Sequence, residues 1–206
     1  MKAETVKGKK TAAMNPAEIV SGREVARRRD LVAEGVTTNQ LHRLIKSGHV
    51  EQVGRGLYRA KDAEITEYHT LLEAALLAPK GVICLLSALR FHDLTTQAPF
   101  EVWMAIDNKS WRPTTGDVPL RIHYFSGKAL TEGVERHEIE GVPVKIYSAA
   151  KTVADCFKFR NKIGVDIAIE ALRDYLRKRL PEKDLWRYAD VCRVRNVMYP
   201  YLEALQ

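Results

Sequence analysis

The sequence predicts an α+β protein in two parts: a small N-terminal unit, and a larger C-terminal domain with a small, mostly antiparallel sheet and several helices. The first part is indicated by two helical patterns around a glycine turn, followed by a glycine-flanked hairpin, within residues 31–59. The second part is indicated by four strand-like runs within residues 101–147 and by helical patterns from residue 148 onwards. An apolar share of 46% in 206 residues is ordinary for a protein with a packed core.

The helices of the N-terminal unit are predicted from capping residues and apolar spacing. Ser21 is a candidate cap for a helix that runs to Glu34. After a turn at Gly35, Thr37 caps the next helix, and Gln40 three residues later completes a capping box. Three apolar residues of this second helix share one face and are expected in the core: Leu41, Leu44 and Ile45.

A β-hairpin is predicted directly after this helix. The run Val50–Val53 alternates apolar and polar residues, and Leu57–Arg59 can return beside it. Gly54 and Gly56 flank Arg55, so the bend can adopt the positive φ angles of a tight turn. Helix, turn, helix and hairpin in this order are typical of a winged helix-turn-helix, which places its second helix in the major groove of duplex DNA.

The polar face of the second helix supplies candidate DNA contacts. Asn39 can pair with adenine and Arg43 with guanine through two parallel hydrogen bonds, whereas Lys46 suits a phosphate. Arg55 at the hairpin tip suits a phosphate or the minor groove. For Arg55 and for the cluster Arg27–Arg29, an ordinary solvated position is the alternative. The predicted DNA-binding residues are Thr38, Asn39, His42, Arg43, Lys46, Arg55, Arg59, Arg27 and Arg28.

Positive charge is concentrated in the N-terminal unit. The net charge of the chain is +7. Residues 1–60 contain 12 Lys and Arg against 6 Asp and Glu, whereas residues 61–206 contain 21 against 20. An excess of positive charge on this segment is what the release of counterions from a phosphate backbone requires, although general solubility is an alternative explanation.

Composition disfavours several classes of protein. No apolar run approaches the roughly 20 residues that span a bilayer, and no apolar stretch follows the basic residues 1–15 as a secretory signal requires. We therefore expect a disordered basic arm at residues 1–15 and a cytoplasmic protein. The three cysteines are far apart with apolar neighbours, which predicts buried thiols. The six histidines show no zinc-binding spacing, so neither a metal nor a cofactor is predicted.

The DNA-binding unit is predicted to span residues 16–61 and the C-terminal domain residues 62–206. The predicted strands of the C-terminal domain are Glu101–Ile106, Leu120–Phe125, Val134–Ile139 and Val142–Tyr147, the last two joined by a turn at Glu140-Gly141. Its predicted helices are Glu64–Ala78, a short one from Ser87, Ser148–Phe157 with Ser148 as its cap, Ile163–Arg179, Glu182–Cys192 and a short one at the end of the chain.

No catalytic residues are predicted in this domain. A metal nuclease could use Asp93 with Asp107–Lys109, but the second group lies where a strand passes into a polar loop, which disfavours it. Lys151 and Asp155 are four residues apart on one helix, so a surface ion pair explains them, and Cys156 is explained as a buried thiol. Two polar residues in an otherwise apolar helix favour a structural network over catalysis: Arg90 and His92.

Five stretches of the sequence resemble one known family. They are GHVEQVGRGLYR, PKGVICLLSALRFHDLT, EVWMAI, EGVPVKIYSAAKTVADCFKFRNKIG and PYLEAL. Together they are similar to the AbiEi family of antitoxins, the transcription-factor-like halves of type IV toxin–antitoxin operons, from about Val20 to the end of the chain. The resemblance implies an N-terminal winged helix that binds inverted repeats in its own promoter, and a C-terminal domain with antitoxin activity. It also implies a nucleotidyltransferase-like toxin, which need not be contacted directly.

The sequence therefore predicts an autorepressor and antitoxin that is not an enzyme. Its expected partner is double-stranded DNA, and two copies are expected on a palindromic site, either as a homodimer or as monomers that bind cooperatively. Two alternatives stay open: a DNA-targeted nuclease or modifying enzyme, and an interaction module that sequesters the toxin.

Overall fold

The computed structural model of this chain describes residues 20, 25–54, 56–62, 66–113 and 118–205. The chain divides into two compact units, Met1–Ile65 and Thr66–Gln206, which are described in turn. Three elements of the sequence prediction lie outside the described residues: the basic arm, the cap Ser21 and the hairpin tip Arg55.

The described part of the N-terminal unit contains a three-stranded antiparallel sheet and two helices. Its elements are β1 (Ala26–Arg27), α1 (Arg28–Ala33), α2 (Thr38–Lys46), β2 (Val50–Gly54) and β3 (Leu57–Ala60), and the strand order is β1-β3-β2. The helix predicted up to Glu34 was wrong over β1, because Ala26 pairs with Tyr58 across the sheet. The burial of Ala26 against the free edge of β3 outweighs the local helical pattern.

One small core holds these helices and strands together. Gly35, at φ +88°, allows the turn that brings Val36 back onto α1, where its backbone N–H donates to the Leu31 carbonyl at 2.9 Å. Leu41 of α2 is buried in the same core, as its spacing predicted. The buried residues of this core are Val20, Ala26, Leu31, Val36, Leu41, Val50, Tyr58 and Ala60, with Leu44 and Ile45 partly buried against them.

The C-terminal unit contains a five-stranded sheet with the order β6-β5-β4-β8-β7. Its strands are β4 (Val82–Ile83), β5 (Val102–Asp107), β6 (Leu120–Phe125), β7 (Val134–Ile139) and β8 (Val142–Tyr147). Strand β5 is parallel to β6 and β4 is parallel to β8, whereas the pairs β4–β5 and β7–β8 are antiparallel. The prediction of a mostly antiparallel sheet was therefore wrong, and the sheet is mixed.

The parallel pairs have no local signal in the sequence. Strand β4 has only two residues, too few for an alternating pattern, yet it lies at the centre of the sheet. Strands β5 and β6 lie in parallel register, with Val102 opposite Leu120. The hairpin β7–β8 was predicted correctly, and its turn has positive φ at Glu140 and Gly141, as a type I′ turn requires.

The helices described in this unit are α3 (His69–Leu77), α4 (Leu85–Phe91), α5 (Lys128–Thr131), α6 (Ala149–Lys158), α7 (Arg160–Ile163), α8 (Val165–Arg177), α9 (Glu182–Cys192) and α10 (Arg195–Leu205). Helix α6 packs against α4, α8 and α9, and its residues 150–157 are all buried. Ser148 caps it, as predicted, because its hydroxyl accepts from the Lys151 N–H at 3.3 Å. The short helix predicted from Ser87 begins two residues earlier, at Leu85, and the Ser87 hydroxyl accepts from the Trp103 N–H at 2.9 Å.

A buried ion pair lies on α6. The surface ion pair predicted for Lys151 and Asp155 was wrong, since both side chains are fully buried. The Lys151 ammonium donates to Asp155 Oδ2 at 2.5 Å and lies 4.2 Å from the centroid of the Tyr147 ring. The Cys192 thiol of α9 donates to Asp155 Oδ1 at 3.1 Å. A spacing of four residues places two side chains on one helix face, but it does not say whether another helix covers that face.

A second buried carboxylate lies at the β7–β8 turn. Glu140 is 3% exposed, and its Oε1 accepts from the Thr66 N–H at 3.0 Å and from the Thr66 hydroxyl at 3.1 Å. Its Oε2 lies 2.8 Å from His69 Nδ1. Burial by itself would raise the pKa of Glu140, but the hydrogen bonds from Thr66 and His69 hold that pKa below its usual value. The carboxylate thereby fixes the first residues of the unit to the hairpin.

Asp155→Asn is expected to lower the free energy of unfolding by about 3–5 kcal/mol, because it leaves the Lys151 ammonium buried without a charged partner. Urea unfolding at pH 7 measures this change. The double variant Lys151→Met/Asp155→Leu removes both charges and is expected to lose much less stability. Equal stability of Asp155→Asn and the natural chain would contradict the assignment of an ionised pair.

Glu140→Gln is expected to change how stability depends on pH. Because the pKa of Glu140 is lowered in the folded state, its contribution is present above the unfolded value, about 4.3, and is lost as the pH falls through the folded value. Between pH 6 and pH 3, the free energy of unfolding should therefore depend less on pH for Glu140→Gln than for the natural chain. Glu138→Gln, an exposed position on the adjoining strand β7, is the matched control. The same pH dependence of the free energy of unfolding in Glu140→Gln and in the natural chain would contradict a stabilising role for the hydrogen bonds of Thr66 and His69 to Glu140.

Candidate nucleic-acid interface

Helix α2 begins with a complete capping box, as the sequence predicted. The Thr37 hydroxyl accepts from the Gln40 N–H at 3.3 Å, and the Gln40 side-chain oxygen accepts from the Thr37 N–H at 2.8 Å. At the other end Gly48, with φ +74°, turns the chain away from the helix axis. Both ends of α2 are therefore fixed, which sets the direction in which its side chains leave the axis.

The predicted polar face of α2 is open to solvent. Asn39, His42, Arg43 and Lys46 are exposed, whereas Leu41 is buried. Within the described part of the chain, no hydrogen bond or ion pair involves any of these four polar side chains. Their amide, imidazole, guanidinium and ammonium groups are therefore free to bind a ligand. Groups of these kinds donate hydrogen bonds to base edges and phosphates in protein–DNA complexes.

Arg28 connects this face to the hairpin. Its guanidinium donates to Thr38 Oγ1 at 3.2 Å, and its backbone N–H donates to the Gly56 carbonyl at 2.8 Å. Arg28 and Thr38 are both exposed, so the first residues of α1 and of α2 meet beside the hairpin bend. Arg27 lies on β1 instead, half-buried and opposite Leu57, and not on the helix that the sequence predicted.

Arg59 is placed differently from the other predicted residues. It is 6% exposed, and its Nε and Nη2 atoms donate to Glu51 Oε1 at 3.0 and 2.6 Å. Glu51 and Arg59 face each other across the β2–β3 pair. This placement does not support Arg59 as a phosphate contact, because its guanidinium is used within the sheet. The signal was present in the sequence, since a hairpin that bends at residues 54–56 brings these two residues together.

The hairpin after α2 bends where the sequence predicted. Strands β2 and β3 pair as far as Gly54 opposite Leu57, with an irregularity in register between Gln52 and Gly54. Gly56 has φ +73°, which a residue with a side chain adopts only with strain. Arg55, predicted for the tip, lies outside the described residues.

Four of the residues considered for catalysis in the C-terminal unit have structural partners. Asp93 pairs with Lys178 at 3.6 Å, and the Asp107 carboxylate accepts from the Lys109 N–H at 2.8 Å. The two polar residues of α4 also have partners: Arg90 has Glu67 at 3.8 Å and His92 has the Tyr147 carbonyl at 2.7 Å. The described residues contain no group of three metal-binding side chains, and no helix among them is long and apolar enough to cross a membrane.

The chain is a mixed α/β protein whose N-terminal unit presents an exposed, basic helix face beside a hairpin. Residues 16–61 match the family described as "Transcriptional regulator, AbiEi antitoxin". The family recognised from the sequence is thus confirmed over this segment, which includes α1, α2 and the hairpin. A search of curated proteins found no match to the chain.

Thr37→Ala is expected to destabilise the N-terminal unit by about 1 kcal/mol, because the Gln40 N–H loses its acceptor. The exchange rate of the Gln40 amide hydrogen, measured by NMR, reports the fraying of the first turn. Thr37→Ser keeps the oxygen and is the matched control, which should exchange as slowly as the natural chain. An unchanged exchange rate in Thr37→Ala would show that the capping box of Thr37 and Gln40 does not stabilise the first turn of α2.

Proposed function

We propose that the N-terminal unit is a winged helix-turn-helix that binds duplex DNA, with α2 in the major groove and the β2–β3 hairpin as the wing. The observation that carries this proposal is the exposed polar face of α2, whose groups are free within the described residues. The buried apolar side of α2 and the match of this segment to a transcriptional-regulator family support it. The excess of basic residues in this part of the sequence supplies the electrostatic attraction.

Each side chain of the face has a proposed role. Asn39 and Arg43 are four residues apart, so one helical turn places them in a row along α2 where both can reach base edges. His42 and Lys46 form a second row, and Lys46 near the C-terminal end is assigned to a phosphate. Arg28 is proposed to orient Thr38 and to contact the backbone beside the wing.

At the level of the operon, we propose that the protein is a sequence-specific autorepressor that binds inverted repeats in its own promoter. It would act there as two copies, because a palindromic site has two equivalent halves. We further propose that it is the antitoxin of a type IV pair, with a nucleotidyltransferase-like toxin as its functional partner and the cytoplasm as its location. The C-terminal unit would carry the antitoxin activity without enzymatic chemistry. The family match supports the regulator and antitoxin assignments.

Arg43→Ala is expected to weaken binding to the operator by about 1–3 kcal/mol and to relax base preference at one position. Lys46→Ala is expected to weaken binding to operator and random duplexes alike and to reduce the salt slope by about 1. Electrophoretic shifts with DNA from upstream of the chain's own gene, at two salt concentrations, measure both effects.

The matched control for these variants is Lys80→Ala, which removes an exposed cation from the C-terminal unit. It should leave both affinities unchanged. Equal losses on operator and random DNA for Arg43→Ala would defeat the assignment of Arg43 to a base. A promoter–reporter assay in cells separates the two proposed activities, since Arg43→Ala should release repression while protection against the toxin persists.

A further inference from the structure

A concave cavity of about 720 Å³ lies in the C-terminal unit, between the start of α5 and the C-terminal ends of α6 and α9. Its volume is within the range of sites that hold small molecules. Three of its lining residues are exposed cations contributed by three different helix ends: Lys128, Lys158 and Arg193. Ser126 adds an exposed hydroxyl to the lining.

The side chains that line the cavity carry an excess of positive charge. In the described chain, no side-chain hydrogen bond or ion pair involves Lys128, Lys158 or Arg193. The lining contains one carboxylate, that of Asp190, and both of its oxygens accept from the Arg195 guanidinium, at 2.5 and 2.6 Å. These hydrogen bonds lower the pKa of Asp190 and offset its charge. Three cations therefore face the cavity with no free anion among its lining side chains.

Local structure does not account for all of these cations. Lys158 lies in the last turn of α6, where a positive charge suits the helix dipole. Lys128 lies on α5, a helix of four residues and a single turn, whose dipole is too small to account for a cation there. Arg193 has φ +59°, in the left-handed region that glycine or asparagine adopts more readily. Residues that break local preferences in this way often serve a site.

We propose that this cavity binds a small phosphate-bearing anion, held by charge-assisted hydrogen bonds from Lys128, Lys158 and Arg193. Such hydrogen bonds are the strong ones, and phosphate oxygens accept several at once. A concave cavity suits one compact ligand, whereas the backbone of a duplex requires cations spaced along an open ridge. The cavity lies wholly within the C-terminal unit, so this proposal does not rest on DNA binding by α2.

The lining also includes a buried thiol, that of Cys192, to which the proposal assigns no role. Cys192 is 3% exposed, and its Sγ donates to Asp155. Burial raises the pKa of Cys192 well above its ordinary value, so the group stays a thiol. The contribution expected of a bound anion is to link the ends of α5, α6 and α9, which stabilises the native state in proportion to ligand concentration.

Titration of the full chain with inorganic pyrophosphate in a calorimeter, at low and constant ionic strength, tests the proposal. Saturable binding at a single site is expected. Lys158→Gln and Arg193→Asn should each weaken it about tenfold, and Lys128→Gln/Lys158→Gln/Arg193→Asn should abolish it. Asparagine is chosen at position 193 because it tolerates the left-handed conformation, so that variant should fold normally. Pyrophosphate should also raise the melting temperature of the natural chain and not that of the triple variant.

Lys183→Gln is the matched control, because it removes an exposed lysine of α9 that does not line the cavity. It should leave pyrophosphate binding unchanged. No binding to the natural chain beyond that of chloride, or equal weakening by the control, would overturn the proposal. If the triple variant loses affinity for random duplex DNA while the natural chain does not bind pyrophosphate, the cations belong to a nucleic-acid surface and the small-anion site is wrong.

Discussion

The burial of one side of α2 in the N-terminal core is the constraint on which the proposed interface depends. With nine residues, α2 is too short to be stable in isolation, so its existence relies on tertiary packing. Leu41 supplies that packing with Leu31, Val36 and Val50, and the Thr37 capping box satisfies the first turn. Once this side is buried, helix geometry leaves the opposite side in solvent, and the Cα–Cβ bonds of the polar residues there have a fixed direction before any ligand arrives. A helix that is already formed loses less backbone entropy when it binds.

The basic residues of the N-terminal unit divide into different roles that charge alone does not distinguish. Arg59 is buried and used within the sheet against Glu51, so it stabilises the hairpin. Arg28 joins the start of α2 to the hairpin through Thr38 and Gly56. Arg43 is exposed without a partner among the described residues. Among the described residues, Arg59 is therefore not available to a ligand although the sequence count includes it, whereas Arg43 and Lys46 are exposed on one face of α2.

The C-terminal unit shows how a polar group can be accommodated inside a core. The stem of Lys151 passes so close to Gly133 that a Cβ at that position would lie 2.7 Å from Lys151 Cβ. The ammonium then meets Asp155 and the face of the Tyr147 ring. Gly133 also has φ +75°, so both its backbone conformation and its lack of a side chain are required. A buried charge of this kind is tolerated because each polar atom has a partner, and it constrains how α6 and α9 pack.

The sequence by itself determined the elements whose signals are local. The capping box at Thr37, the cap at Ser148, the bend at Gly56 and the helix Glu182–Cys192 follow from residues within a few positions of one another, so the pattern carries the information. Only the tertiary structure decided strand β1, the parallel pairs of the mixed sheet, and the burial of Arg59 and of the Lys151–Asp155 pair. In each of these cases the strand that pairs or the element that buries the side chain is not specified by the neighbouring residues in the sequence. Whether a side chain is buried depends on how the whole chain packs, and the local periodicity of the sequence contains no information about that.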